Sequence, residues 1–276
     1  SRFSSLIVYD STCPYFYCPT KCNLSIFYEC YGEGEPLVFV HGLGASSSMY
    51  KPQIEYFQQH FKVILLDLRG NGNSGFLDCN VESVLDKQAE DIKELLLFLE
   101  ISSATFIGVS YGGVLIQKVA FASPDIVKAL VIVDSFCDTS IDSLQKLLAM
   151  VGANQTWILH MPKKWLAKLT KSSYKRWSIA CKEMESIILN MRTYETKIQR
   201  KAINRIRFND QLLKVNIPTL CLVGDYTKLG KKMMERVSSC IQDSELKVIE
   251  NSFDPSNLCQ PKVFNKTVHK FISNLL

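Results

Sequence analysis

The sharpest chemical signal in this sequence is a serine set between glycines, in the run Gly108-Val109-Ser110-Tyr111-Gly112-Gly113. The run follows an apolar segment and begins a helical pattern, so it predicts a tight turn from strand to helix. At such a turn the serine hydroxyl projects beyond the strand, and the glycines leave room for neighbouring backbone. The helix N-terminus offers free N–H groups to a developing negative charge. We therefore interpret Ser110 as a candidate nucleophile for acyl transfer.

Short apolar runs alternate with helical patterns along the rest of the chain. Unbroken runs such as residues 63–66 suit strands that are buried on both faces of a parallel sheet. Helical periodicity is clearest over residues 82–100 and after Pro261. Residues 32–35 separate two of the runs and predict a hairpin-type connection. The pattern predicts an α/β fold with strands at residues 24–31, 36–41, 61–68, 104–109, 129–134, 218–224 and 246–250.

Residues 137–213 contain several helical patterns and no strand pattern. We interpret them as a helical cap, with residues 1–136 and 214–276 forming the two parts of one core. The cap holds 14 basic and 6 acidic residues, whereas the rest of the chain holds 18 and 21. This surplus predicts either a solvated outer face or a surface for an acidic partner, an anionic ligand or an anionic membrane. The basic segments include Lys163, Lys164, Arg200 and Lys201.

The segments around the serine turn resemble the α/β-hydrolase family. His41-Gly42-Leu43-Gly44 looks like the oxyanion loop of that family, and residues 67–74 look like its Asp-x-Arg-Gly-x-Gly-x-Ser segment. The resemblance implies a three-layer fold, with a mostly parallel eight-stranded sheet between helices and a helical cap. It also implies that the backbone N–H groups of Leu43 and Tyr111 form an oxyanion hole, and that Gly42 contributes to binding.

The same resemblance locates the acid of a catalytic triad three residues after Gly224, where this chain has Thr227. Asp225 lies close to that position but is not at it. Asp134 ends another predicted strand and is a possible substitute; alternatively, it caps the segment that follows.

The triad histidine of the family stands in the pattern His-x-x-Asn-Leu-x-x-Pro, and this chain has Asp254 at its first position, in Asp254-Pro255-Ser256-Asn257-Leu258-Cys259-Gln260-Pro261. An exposed carboxylate has a pKa near 4 and is a weak base, although burial raises that pKa. Among the four histidines, His160 is the one that a cap helix can hold over Ser110. The other three are expected to be structural or solvated: His41, His60 and His269.

A second, shorter resemblance is to maspardin-type proteins, which are α/β-hydrolase-fold members that lack the family histidine and are thought to act by binding. It rests on residues 134–141, Trp157 with Met161-Pro162, and Asp254-Pro255 with Leu258-Cys259. We therefore expect a ligand-binding protein or a strongly weakened hydrolase. One alternative is an active serine hydrolase of a small acyl substrate, with Asp254 or His160 as an atypical base. The other is an interaction protein that docks through the basic cap.

Composition narrows the remaining classes. A hydrophobic fraction of 47% and a charged fraction of 21% are typical of a folded globular protein. No apolar run approaches the roughly 18 residues that a membrane helix needs, and residues 1–30 lack the pattern of a secretory signal. The ten cysteines suit reduced thiols in a cytoplasmic protein. We expect no cofactor and no nucleic-acid partner, and no metal site, because the spacing of Cys13, Cys18, Cys22 and Cys30 fits no standard zinc pattern.

Overall fold

A computed structural model describes residues 15–21, 24–140 and 159–276 of the chain. Cys13, Cys22, Ile141 and Trp157 lie outside the described residues, as does the part of the cap from residue 141 to 158. Within the described ranges, no helix is both long enough and apolar enough to cross a bilayer.

Eight strands form one sheet: β1 (Tyr15–Pro19), β2 (Ser25–Tyr31), β3 (Pro36–Val40), β4 (Lys62–Leu66), β5 (Ala104–Val109), β6 (Val127–Val133), β7 (Thr219–Gly224) and β8 (Ser244–Ile249). Their order across the sheet is β1-β2-β4-β3-β5-β6-β7-β8. Strand β2 is antiparallel to β1 and β4, and every other pair is parallel. The predicted mostly parallel sheet of eight strands is therefore confirmed.

Ten α-helices are described: α1 (Lys51–Phe57), α2 (Val84–Phe98), α3 (Tyr111–Ala122), α4 (Lys163–Ser173), α5 (Ser178–Asn190), α6 (Thr193–Ile203), α7 (Asn209–Leu212), α8 (Lys228–Cys240), α9 (Ser256–Cys259) and α10 (Pro261–Ser273). Apolar side chains of α2, α3 and α8 bury one face of the sheet. Those of α1 and α10 bury the other face. The resulting three layers bring the carboxyl ends of the parallel strands to one edge, where ligand sites of such folds lie.

The hairpin-type connection predicted at residues 32–35 is wrong. Strand β4 lies between β2 and β3, because its consecutive buried apolar residues pair with a strand on each side. The connection instead passes close to the loop that precedes β4. A Cβ on Gly32, where φ is 69°, would lie 2.3 Å from the carbonyl oxygen of Gln58. This close approach and the positive φ together require glycine at that position.

Between β6 and β7 the described chain is helical, from α4 to α7. Helix α4 packs on α5, and α5 packs on α9. A small apolar cluster joins these elements, with Tyr174 and Trp177 on the cap side and Leu258 on the core side. The cap is therefore anchored on the segment that follows β8, which carries Asp254.

Candidate active site

Ser110 lies on the sharp turn between β5 and α3. Its backbone has a φ of 54° and a ψ of −111°, a combination that non-glycine residues rarely adopt. Two glycines allow the turn to close. A Cβ on Gly108 would lie 2.4 Å from the carbonyl oxygen of Gly112, and a Cβ on Gly112 would lie 2.0 Å from that of Val40. The turn thus has the strand-to-helix geometry expected of a nucleophile elbow.

A cavity of about 220 Å³ lies between this turn and the cap helices. Ser110 and Asp254 line the cavity from the core, and Arg200 of α6 lines it from the cap. The rest of the lining is mainly apolar and includes Leu43, Met49, Leu159, Met184, Ile187 and Met191. The volume is below the roughly 300 Å³ at which typical small-molecule sites begin, so the cavity suits a small substrate.

Two backbone amides near Ser110 were predicted from the sequence to bind an oxyanion. The Tyr111 N–H begins helix α3, and the Leu43 N–H belongs to the loop after β3. Neither donates a hydrogen bond to another group within the described part of the chain. Gly42 brings this loop close to the nucleophile, because a Cβ on it would lie 3.9 Å from the Ser110 Cβ. Leu43 and Tyr111 thus lie close to Ser110, and their role as an oxyanion hole stays a prediction.

The segment that resembles Asp-x-Arg-Gly-x-Gly-x-Ser, residues 67–74, is hydrogen-bonded to the chain that follows this loop. The Asp67 carboxylate accepts hydrogen bonds from the N–H groups of Ser47 and Asn73, at 2.7 and 2.8 Å. The Arg69 guanidinium, which is 2% exposed, binds both carboxylate oxygens of Asp91 at 2.6 Å. These contacts tie the loop to helix α2, so the segment has a structural role.

Asp254 brings a carboxylate to the nucleophile. Ser110 and Asp254 line the same cavity, and their side chains are close enough to interact. Burial, followed by the nearby charge of Asp134, raises the pKa of Asp254 well above its usual range, against the lowering effects of Ser110 and of Arg200. The cap fixes the position of this residue, because the Tyr174 hydroxyl donates to the main-chain oxygen of Asp254.

Asp134, at the end of β6, stands behind Asp254. Its Oδ1 accepts the Gly224 N–H at 2.9 Å, and its Oδ2 accepts the Ser256 N–H at 2.6 Å. Burial raises the pKa of Asp134 to about 6, although these hydrogen bonds lower it. The order Ser110, Asp254, Asp134 thus parallels the order of nucleophile, base and acid in a serine triad. Asp134 also anchors the start of α9, so both roles considered for it from the sequence are compatible with its contacts.

The two residues at or near the family's acid position lie elsewhere. Thr227 is the N-cap of α8, where its hydroxyl accepts the Gly230 N–H at 3.1 Å. The Asp225 carboxylate accepts the Ser252 N–H at 3.1 Å, and that hydrogen bond lowers the pKa of Asp225. Neither residue lines the cavity. In this chain, therefore, the residues at and near the acid position of the family bind main-chain N–H groups close to them.

All four histidines lie in the described part of the chain, and none lines the cavity. His41 is buried, and its Nε2 accepts the Leu68 N–H at 3.0 Å. Its Nδ1 therefore carries the proton and donates to the Gly42 carbonyl oxygen at 2.8 Å, as a structural histidine would. His160 is exposed, with its ring nitrogens 3.0 and 3.1 Å from the Lys197 Nζ. The remaining pair, His60 and His269, lies together, with ring centroids 5.3 Å apart.

Two site residues carried little or no signal in the sequence. Tyr174 was not a candidate, and Arg200 was one of many basic cap residues interpreted as a solvated outer face or as a surface for an acidic partner, an anionic ligand or an anionic membrane. The solvated outer face is wrong for Arg200, because Arg200 lines the cavity. The spacing of Thr196 and Arg200, one helical turn apart, was the available signal, since residues at that spacing share a helix face.

Comparisons with known proteins agree with this geometry. The family model described as alpha/beta hydrolase fold matches residues 35–169. A hydrolase from Acinetobacter baylyi, named (E)-2-((N-methylformamido)methylene)succinate hydrolase, is 26% identical over 261 residues, which is 91% of this chain and 95% of that protein. The 3-oxoadipate enol-lactonase 2 of the same organism is 26% identical over 268 residues, or 90% of this chain and 93% of that protein.

Among solved structures, the bromoperoxidase from Bacillus anthracis has a TM-score of 0.82 at 22% identity, covering 94% of this chain and 99% of that one. At this identity the likeness shows the fold alone. One fold is indicated by the sheet order, the turn at Ser110, the family-model match and the structural neighbours. The chain has the α/β-hydrolase fold.

Proposed function

We propose that the chain is an active serine hydrolase that cleaves an ester or related acyl bond of a small substrate, with Asp254 as the base. The observation that carries the proposal is that Ser110 and Asp254 line one cavity with their side chains close enough to interact, beside two backbone amides without partners in the described structure. Nucleophile, base and oxyanion donors are the three groups that acyl transfer requires.

In the proposed reaction, the Ser110 oxygen attacks the acyl carbon and passes its proton to the ionised Asp254. The N–H groups of Leu43 and Tyr111 stabilise the oxyanion of the tetrahedral intermediate. As that intermediate collapses, Asp254 returns the proton to the leaving oxygen or nitrogen, and an acyl-serine remains. Water then attacks this ester while Asp254 accepts its proton, and breakdown of the second intermediate restores the Ser110 hydroxyl.

The surroundings of Asp254 compensate in part for the missing imidazole. A carboxylate with an ordinary pKa near 4 gives little driving force for taking a proton from serine. Burial and the adjacent Asp134 raise the pKa of Asp254, so its ionised form is a stronger base than an exposed carboxylate. A negative charge at Asp134 also stabilises the protonated form that arises during attack, as the acid of a triad stabilises its imidazolium.

The relatives favour this proposal over the ligand-binding interpretation that the sequence alone suggested. Proteins matched over about nine tenths of this chain are named as a hydrolase and an enol-lactonase. Ligand binding without turnover stays the second candidate, because no imidazole lines the cavity. Docking through the basic cap remains a prediction.

Turnover of p-nitrophenyl butyrate by the wild type and by Ser110→Ala tests the proposal. We expect release of p-nitrophenol that depends on Ser110, and a mass increase of one butyryl group on the peptide that contains Ser110. The control is Ser123→Ala, which changes a serine at the opposite end of α3 and should keep the wild-type rate. If the wild type is no faster than Ser110→Ala and no acyl adduct forms, the proposal is wrong and ligand binding is favoured.

A further inference from the structure

Two charged side chains line the cavity in the described structure: Asp254 from the core and Arg200 from the cap. Asp254 interacts with Ser110 at the proposed reacting centre. Arg200 stands among mainly apolar neighbours such as Leu159, Ile188 and Met191. An arginine in such a setting is uncommon, because desolvation of a guanidinium is costly unless an anion pairs with it.

Arg200 differs from other arginines that the structure describes. Arg69 is held by Asp91 and Asp78, Arg192 by Glu195, and Arg205 by Glu82. Within the described residues, by contrast, the Arg200 guanidinium forms no hydrogen bond and no ion pair, and Asp254 is the charged group that acts on it. Burial lowers the pKa of Arg200, although the guanidinium stays charged near neutral pH.

Helix α6 holds this guanidinium toward the cavity. Thr196, one turn earlier, lines the same cavity, and its hydroxyl donates to the Arg192 carbonyl oxygen at 2.8 Å. Gln199 and Ile203 are buried on either side of Arg200 in the sequence. Helix α6 is therefore packed against the core next to Arg200, and this packing holds the Arg200 side chain beside the cavity.

We propose that Arg200 binds a carboxylate carried by the substrate, so that the preferred substrate is an ester or related acyl derivative of a short dicarboxylic acid. This inference rests on the proposed hydrolase function. The planar guanidinium presents paired N–H donors that match the two oxygens of a carboxylate. A monoanion suits the cavity better than a dianionic phosphate, because one cation lines the described part of it and Asp254 already contributes negative charge.

An alternative role for Arg200 is to hold Asp254 in its ionised form, without touching substrate. The two roles differ in substrate selectivity. A residue that binds the distal carboxylate affects acidic substrates more than neutral ones, whereas a residue that acts through Asp254 affects both equally. The ratio of kcat/KM between an acidic and a neutral ester of the same size therefore separates them.

The substrates are mono-p-nitrophenyl glutarate and p-nitrophenyl valerate, assayed with the wild type, Arg200→Gln and Arg200→Lys. We expect the wild type to prefer the glutarate ester and Arg200→Gln to lower the acidic-to-neutral ratio at least about tenfold, since a hydrogen bond between two charged groups is lost. Arg200→Lys keeps the charge but not the paired donors and should fall between. Arg205→Gln, on the same chain segment but bound to Glu82, should leave the ratio unchanged. An unchanged ratio in Arg200→Gln overturns the proposal.

Binding of monomethyl glutarate, a monoanion at neutral pH, separates this inference from the proposed function. Calorimetry with Ser110→Ala, which cannot form an acyl-serine, should detect monomethyl glutarate binding, and adding Arg200→Gln should weaken it at least about tenfold. If no ester is turned over but monomethyl glutarate binds through Arg200, the hydrolase proposal fails and the anion site stands. If esters are turned over without preference and monomethyl glutarate does not bind, the anion site fails and the hydrolase proposal stands.

Discussion

Replacing Asp254 by asparagine removes the proposed base while changing its shape little. The asparagine side chain can still hydrogen-bond to Ser110, and the bond from the Tyr174 hydroxyl goes to the main-chain oxygen, which the substitution leaves in place. The variant therefore keeps its fold and loses the capacity to accept a proton. Any loss of rate can then be assigned to proton transfer and not to a collapsed cavity.

The expected loss in kcat is about 100- to 1000-fold. A positioned general base contributes about 10²–10⁴ to a rate, and a carboxylate lies in the lower part of that range because its basicity is below that of imidazole. The upper end of our estimate corresponds to about 4 kcal/mol of transition-state stabilisation. Residual activity above the uncatalysed rate should remain, because the amides of Leu43 and Tyr111 are untouched.

The pH dependence of kcat/KM is an independent test of Asp254 as the base. Asp254 must be ionised to accept a proton, and its pKa is raised. The value of kcat/KM should therefore rise with pH through that raised pKa and level off above it, well to the alkaline side of pH 4, where an ordinary carboxylate titrates. Because Asp134 lies next to Asp254 and has a pKa of about 6, the profile reports the pair and not one residue. Asp254→Asn should lose this rise.

The assay is initial-rate hydrolysis of p-nitrophenyl butyrate across the pH range, with circular dichroism to verify folding. Asp225→Asn is the matched control, because it makes the same chemical change at a carboxylate outside the cavity that accepts the Ser252 N–H. A rate for Asp254→Asn within about threefold of the wild type would refute the assignment of the base. A wild-type profile that shows no rise with pH above the ordinary range of a carboxylate would refute it as well.

Substitutions at two positions test the arrangement of the site. Asp254→His should raise kcat at least about tenfold at neutral pH, because an imidazole is the stronger base and Asp134 already lies beside it. Adding Thr227→Asp to this variant should bring no further gain in kcat. A gain that appears only in the double variant would contradict the role of Asp134. Thr227→Ala should lower the free energy of unfolding in urea by about 1 kcal/mol through loss of the α8 N-cap, with no change in kcat, so a large loss of kcat would show that Thr227 belongs to the site.

Several parts of the fold could be read from local sequence. The strand at residues 104–109 has the predicted bounds, because a buried central strand is a continuous apolar run. Pro261 begins the last helix as predicted, since its fixed φ suits the first helical position. The short edge strand β1 was missed: it pairs with β2 alone, and its sequence includes Pro19. Helix α8 was missed too, because few of its residues are buried.

Strand pairing was not readable from the sequence. Residues 32–35 have the composition of a hairpin connection, yet β2 pairs with β4 and not with β3. Local composition specifies that the chain must turn, but the neighbour of a strand depends on which apolar surfaces meet in the completed sheet. The correct pairing therefore depends on β4, which comes about thirty residues after the loop.

The sequence by itself determined the nucleophile of the candidate site, its turn, and the absence of histidine from the position where the family carries it. These features depend on residues that are close in the chain, such as Gly108, Ser110 and Gly112. Only the tertiary structure decided the rest. Asp134 and Asp254 are 120 residues apart in sequence and meet because parallel strands bring their carboxyl ends to one edge of the sheet. The basicity of Asp254 follows from burial and from its charged neighbours, and both are properties of packing that no local sequence pattern records.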